Sequence, residues 1–341
     1  MKILIVKLSS LGDVLHSLPV VWDIRAHYPE AQLDWVVEEG FKGLLDPLKT
    51  IGSLKGIDRV IPIALRRWKK SLKHGEFVRS IQEFIRFKND LQQTKYDLVI
   101  DIQGLIKSAA LTKLVQLEVS GRIIGPANKT QFSGFESWAC RFYTESVQVP
   151  FHLHAVERAR WIVAAAMDVP TPKEGQDLPK FYPNAYVSEL SGKSDTLSQE
   201  LGIQKPYVVF LHATSRADKR WSHASWVAVG QYLNRQGVSV VLPWGSPDEQ
   251  KISLELSKEI LGSVVPRALA IHEIYVLIAG SKQIIGVDTG LTHVAAAFGM
   301  PTIEIYCNSW KGNAAGYWSP HIHNLGDMGQ TPTVNDVIAC L

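Results

Sequence analysis

Cysteine is scarce in this chain, and its few thiols do not pair. Cys140, Cys307 and Cys340 are odd in number, far apart and never spaced C-x-x-C. That argues against a disulfide framework or a zinc knuckle and leaves core or bystander thiols, as in a reducing cytoplasm. An excess of one charge is also missing: 36 Lys and Arg face 33 Asp and Glu, a net +3 over 341 residues. Bulk charge therefore does not point to nucleic acid, and any basic function must come from local clusters. No stretch approaches the roughly 20 apolar residues of a membrane span. The N-terminus has a basic start and an apolar run, like an export signal. Lys7 and Asp13 interrupt that run, and no small-residue cleavage site follows. The segment reads as a strand, a loop and a helix, and any membrane contact is expected to be peripheral.

Several catalytic signatures are absent too. There is no G-x-G, G-x-x-x-x-G-K-[ST], H-E-x-x-H, G-x-S-x-G or D-x-D. Dinucleotide-dependent hydride transfer, P-loop chemistry and zinc hydrolysis lose their usual sites. A metal-bridged nucleotide sugar loses a common pair of ligands.

What is present is an ordinary globular balance, 46% hydrophobic and 20% charged. At about 100–200 residues per domain, the length suggests two domains. Short β-rich apolar runs recur at 2–6, 33–37, 60–63, 98–102 and 122–124, then at 207–211, 238–242, 263–265, 283–287 and 302–306. Several are apolar on both faces, the pattern of strands covered by helices on each side. Helical stretches such as 155–167, 226–236 and 292–298 separate them. Alternating strands and helices predict parallel sheets. The fold class expected is α/β, with two Rossmann-like domains whose sheets face a central cleft. The expected boundaries are a first domain at 1–170, a Pro- and Gly-containing linker at 171–183 and a second domain at 184–341. The last helix is allowed to pack back on the first domain.

Five segments could carry chemistry, most of them leaving the carboxyl end of an expected strand, where such sheets bind ligands. In the first, Lys7 to His16, Ser10 and Gly12 make the turn and Asp13 opens a helix. Asp13 can be a general base for a hydroxyl nucleophile, or simply a helix cap. In the second, Asp288, Thr289, Gly290, Leu291, Thr292 and His293 join the strand QIIGV to the helix HVAAAFG. Backbone N–H groups at such a helix start suit a phosphate, with Thr289 and Thr292 as added donors; capping is the alternative. The third, 211–221, offers Thr214, Ser215, Lys219 and Arg220. Lys219 can neutralise a diphosphate leaving group without a metal. In the fourth, Leu242 to Glu249, Glu249 can accept hydrogen bonds from ribose hydroxyls, and Asp248 can cap a helix. The fifth, 66–73, holds five cations and no acid, among them Arg66, Arg67, Lys69 and Lys70. It suits an anionic acceptor or an anionic membrane surface, or is a solvated helix face.

Taken together and in order, the motifs KLSSLGDVLHSLP, DWVVEEGF, RVIPIALRRWKK, DLVIDIQGLIKSAAL, HAVERAR, FLHATSRADKRW, LPWGSPDE and GVDTGLTH resemble the ADP-heptose heptosyltransferases that build the inner core of lipopolysaccharide. The resemblance runs through most of the chain. It implies a GT-B fold, the acceptor in the first domain and ADP-heptose in the second. It also implies an inverting transfer of L-glycero-D-manno-heptose onto a Kdo hydroxyl of Kdo-lipid A, with no cofactor and no metal. Carried over by residue, Asp13 matches the catalytic base. Thr214, Ser215, Lys219, Glu249, Thr289, Gly290, Leu291 and His293 match donor positions, with Asp288 in the same loop. Leu269 falls where an apolar residue packs on the adenine. Arg66, Arg67, Lys69 and Lys70 match the basic acceptor side, beside Ser10 and Gly12. The partners implied are ADP-heptose, Kdo-lipid A and, peripherally, the cytoplasmic face of the inner membrane; nucleic acid is not among them.

Two segments depart from that pattern. Phe135-Glu136-Ser137-Trp138-Ala139 stands where the family commonly reads R-E-P-L-A, so an Arg is missing. Cys307-Asn308-Ser309-Trp310 replaces a P-T-D-P-like loop. The W-x-K-K neighbourhood of 66–73 favours the enzyme that adds the first heptose. The alternatives are the enzyme that adds the second, another ADP-sugar transferase, a nucleotide-sugar epimerase, or a non-catalytic two-domain sugar binder.

Overall fold

Runs such as KILIV and YVVFL have no polar face, so they are stable only when covered on both sides. In the computed structural model Ile3, Leu4, Ile5 and Val6 are each 0% exposed. The structure describes residues 1–50, 52, 54–73, 77–173, 176–214 and 216–341, without the side chains of 72 and 73. The chain divides into two units, Met1–Lys180 and Phe181–Leu341.

The first unit holds strands β1 (Lys2–Val6), β2 (Gln32–Glu38), β3 (Arg59–Ile63), β4 (Lys95–Asp101), β5 (Gln116–Pro126) and β6 (Glu145–Val147). They form one parallel sheet in the order β3-β2-β1-β4-β5-β6. The chain builds outward from β1 to β3, then crosses to β4 on the other side of β1. Crossovers that diverge in this way open a crevice at the carboxyl ends of β1 and β4.

The second unit holds β7 (Tyr207–Leu211), β8 (Ser239–Val241), β9 (Gln283–Val287), β10 (Thr302–Tyr306) and β11 (Ile322–Gly326). Its parallel order is β11-β10-β9-β7-β8, so the switch point lies between β7 and β9. Phe210, Trp226, Val240, Ile285 and Ile305 pack in one core. The last helix, Val334–Ile338, lies on the helix His223–Arg235 of this same unit, with Val337 buried in that core.

Two strands have no counterpart among the expected runs. β6 (ESV) and β11 (IHNLG) are edge strands, largely exposed or half-buried and polar, so they lack a two-sided apolar signature. The expected strand at 263–265 shrinks to one bridge, Val264 to Val241. Pro266 follows it and has no N–H for a ladder. The three cysteines are free thiols. No helix among the described residues is long and apolar enough to cross a membrane.

Candidate active site

In the first unit the chain leaves β1 at Val6 and turns into the short helix Leu11–His16, with Ser10 as N-cap. Asp13 occupies the third helical position. Its Oδ2 accepts from the Ser10 backbone N–H at 3.0 Å and from Ser10 Oγ at 2.6 Å. Asp13 therefore does cap the helix. The same side chain also lines a cavity of about 260 Å³ with Lys7, Gln103, Thr130, Phe135 and Arg158. Burial pushes the Asp13 carboxyl up, but Lys7, the Ser10 bonds and Arg158 outweigh it and hold it below the usual carboxylate range. Burial pulls the Lys7 ammonium down, against the attraction of Asp13.

The loops around this cavity hold one another. Gln103 Oε1, just past β4, accepts from Leu8 N at 2.7 Å, and Lys107 Nζ donates to Ser9 Oγ at 3.2 Å. Asp101, 0% exposed, accepts from Gln103 N (2.9 Å), Ser108 Oγ (2.8 Å) and Tyr143 OH (2.8 Å). The loop after β4 is thus pinned from below. Phe135 lines the same cavity, and the cations lining it among the described residues are Lys7 and Arg158.

In the second unit a polar chain runs through the loop after β9. Lys219 Nζ donates to Asp288 Oδ2 at 2.6 Å. His293 Nε2 lies 3.1 Å from Asp288 Oδ1, and His293 Nδ1 lies 3.2 Å from Glu304 Oε1. Glu304 Oε2 accepts from Tyr306 OH at 2.8 Å and Gly316 N at 3.1 Å. Each ring nitrogen faces a carboxylate, which asks for a proton on both. Burial lowers the His293 ring, but Glu304 and then Asp288 override it and push it up to about 10. Burial raises Asp288, while His293 and Lys219 hold it well below the usual range. The result is two cations alternating with two carboxylates at the start of the helix Gly290–Ala297.

Neither Asp288 nor Thr289 caps this helix with its side chain. Thr289 is the N-cap without a side-chain cap bond, and the Asp288 carboxylate goes to Lys219 and His293 instead. The Thr292 hydroxyl, expected as a ligand donor, is buried and donates to Val287 O at 2.8 Å. Gly286 makes room for it: a Cβ there would lie 2.1 Å from Thr292 Oγ1.

Beside this chain lies a second cavity of about 260 Å³, at the carboxyl ends of β7, β8 and β9. Glu249, Leu269, Thr289 and Leu291 line it together with His212 and Trp244. Ser246, not Asp248, caps the helix Pro247–Glu259, and Glu249 Oε2 accepts from Gly245 N at 2.7 Å. Trp244 is fixed by its Nε1 bond to Pro266 O at 2.8 Å. His212 is pushed down to about 4 by burial and by Arg220, so it is neutral. Its Nε2 lies 2.8 Å from Ser253 Oγ, and its buried Nδ1 has no partner among the described residues.

Thr214 is half-buried just past β7, and Ser215 lies outside the described residues. Arg216 pairs with Asp218, which also accepts from Asn308 Nδ2 at 2.9 Å, so the 307–310 segment braces this loop. Arg66, Lys69 and Lys70 are exposed on the helix Leu65–Lys73. Arg67 is committed to Glu39 and Glu83 at 2.8 and 2.6 Å. Lys7, Gln103, Lys107, Arg158, His212, Trp244 and Glu304 did not come from sequence reasoning as site residues. A signal existed for two of them: Lys7 directly after the apolar run ILIV, and Glu304 inside the buried run TIEIY.

Comparison with known proteins gives the family. The sequence pattern of glycosyltransferase family 9 (heptosyltransferase) matches residues 84–338. The lipopolysaccharide heptosyltransferase 1 of Pseudomonas aeruginosa is 35% identical over 333 residues, 97% of this chain and 86% of that protein. The lipopolysaccharide heptosyltransferase 1 of Escherichia coli K12 is 35% identical over 319 residues, covering 93% and 91%. Among solved structures, E. coli heptosyltransferase WaaC with ADP superposes with a TM-score of 0.80 at 32% identity, covering 99% and 98% of the two chains. With its two parallel-sheet α/β units of the GT-B type, this chain belongs to glycosyltransferase family 9, the heptosyltransferases, and is a glycosyltransferase.

Proposed function

We propose that the protein moves heptose from ADP-heptose to a Kdo hydroxyl of Kdo-lipid A, with inversion and without a metal. The acceptor belongs to the first unit's cavity and the nucleotide to the second unit's. The observation that carries this reading is a carboxylate at the end of β1, placed beside Lys7 and Arg158 in a cavity. An acidic sugar suits those two cations, and a sugar hydroxyl suits Asp13. The likeness to lipopolysaccharide heptosyltransferases 1 supports the same donor and acceptor.

The displacement is a single step. The acceptor oxygen attacks the anomeric carbon, the bond to the diphosphate oxygen breaks, and ADP leaves from the opposite side. Asp13 takes the hydroxyl proton. Both Ser10 bonds end on Oδ2, which leaves Oδ1 to the substrate. Its depressed pKa keeps it ionised at neutral pH. It is a weak base, but the attacking oxygen becomes strongly acidic as its new bond forms, so a late proton transfer suffices. In the second unit, Lys219, the His293 cation and the N–H groups of the helix Gly290–Ala297 stabilise the growing charge on ADP. Glu249 receives the ribose and Leu269 packs on the adenine. Transfer to a lipid-borne acceptor would take place at the cytoplasmic face of the inner membrane.

Mass spectrometry of a reaction holding ADP-heptose and Kdo-lipid A tests this. The expected result is a gain of one heptose on the lipid. Gain only on an already heptosylated acceptor would point to the second-heptose enzyme. Donor conversion without any acceptor would point to an epimerase.

A further inference from the structure

Away from both cavities, the first unit presents an apolar face to solvent. The helix Phe77–Leu91 buries Ser80, Phe87 and Leu91. Phe77, Val78, Ile81, Phe84 and Ile85 stay exposed, at 55, 70, 55, 38 and 49%. At helical spacing these five share one stripe roughly 120° wide. Single exposed apolar residues are ordinary, but a contiguous stripe marks an interaction surface.

A basic helix is bolted to this one. The Trp68 ring, from Leu65–Lys73, meets Phe84 and Phe87 edge-on at 6.0 and 6.2 Å. Trp68 Nε1 and Arg67 both donate to Glu83 Oε2, at 2.8 and 2.6 Å. The stripe and the cations therefore sit on two helices packed against each other. Residues 65–91 hold eight Lys and Arg against three Asp and Glu. Arg67 and Arg79 are taken up by Glu39 and Glu83. Arg66, Lys69, Lys70 and Arg86 are exposed and have no carboxylate partner among the described residues.

The charge decides what can cover such a face. A second copy packed on it would set cations against cations. A lipid surface with anionic headgroups takes both features at once: apolar side chains enter the acyl boundary, and Lys and Arg meet the phosphates. We propose that this face docks on an anionic lipid bilayer, with the Phe77–Ile85 stripe inserted and Arg66, Lys69, Lys70 and Arg86 on the headgroups. The role assigned to docking rests on the lipid acceptor of the proposed function; the docking itself does not.

The test uses the full chain and flotation with empty vesicles, phosphatidylcholine alone or mixed with phosphatidylglycerol. The variant is the double substitution Ile81→Glu, Ile85→Glu, with Val78→Glu as a second. The expected result is preference for the anionic vesicles, lost by roughly tenfold or more in each variant. ADP binding and transfer to a de-acylated, water-soluble acceptor stay unchanged, while transfer to the acylated acceptor in vesicles falls. The proposal is overturned if the wild type ignores anionic vesicles, or if both variants bind as it does. A dimer in light scattering that the variants break, without vesicle binding, also overturns it and makes the face a self-interface. If the wild type binds empty vesicles yet glycosylates neither acceptor, the docking surface is supported and the proposed reaction fails.

Discussion

Replacing Glu304 by Gln removes one charge from the chain Lys219–Asp288–His293–Glu304 and almost no volume. In the folded chain His293 keeps its proton to about pH 10, against 6.5 for the ordinary ring. A raised histidine stabilises the fold fully below its unfolded pKa. That contribution then fades as pH rises and is gone above about 10. At 1.36 kcal/mol per pH unit the whole effect is at most roughly 5 kcal/mol. Glu304 is the largest of the influences that raise the ring. Its loss should therefore cost about 2–4 kcal/mol near neutral pH, in keeping with a broken buried pair. The cost should shrink toward pH 10, where the wild type has lost the contribution too. Urea midpoints measured at about pH 6.5, 8 and 9.5 read this out, and NMR of the His293 ring gives its titration directly. The variant should show the ring titrating much nearer its ordinary value and a flatter stability profile. ADP should bind more weakly at pH 8, where the variant's ring is neutral. A variant that loses the same stability at all three pH values, or none, would refute the reasoning.

Other perturbations follow from the same geometry. Lys219→Ala removes the partner of Asp288 and a cation for the diphosphate, so ADP affinity should fall by about 10–100-fold in calorimetry, the size of a charged hydrogen bond. Gly286→Ala puts a methyl 2.1 Å from Thr292 Oγ1; overpacking should cost about 1–3 kcal/mol in thermal melts and weaken ADP binding with it. Because Asp13 is held below the usual carboxylate range, the acid limb of kcat/KM should lie below that range too. A limb between pH 5 and 7 would assign the base to another group.

Much of this was legible in the chain because the informative segments follow apolar strands directly. QIIGV-Asp288 and YVVFL-His212 each announce a strand end, and ligands collect there. What the chain does not announce is tertiary. Arg158 sits in the motif HAVERAR at the start of an expected helix, with nothing local to set it apart from Arg160, and its place beside Asp13 comes from the packing of that helix. Glu304 sits in a buried strand, where a carboxylate is costly unless paired. Its partners Tyr306 and Gly316 are near in sequence, but His293 reaches it only through the sheet. The cap at Ser246 makes a related point: Ser246 and Asp248, either side of Pro247, both suit an N-terminus, and local backbone geometry alone picks one. The Phe77–Leu91 stripe is periodic in the sequence, but nothing in the periodicity tells a core face from an uncovered one.

The most direct measurement is the rate of heptose transfer from ADP-heptose to Kdo-lipid A by Asp13→Asn, with ADP affinity taken on the same sample. With Asp13 as the base, kcat should fall by about 10²–10⁴, as for the loss of one general base, while the affinity for ADP stays unchanged. Turnover close to that of the wild type would contradict it.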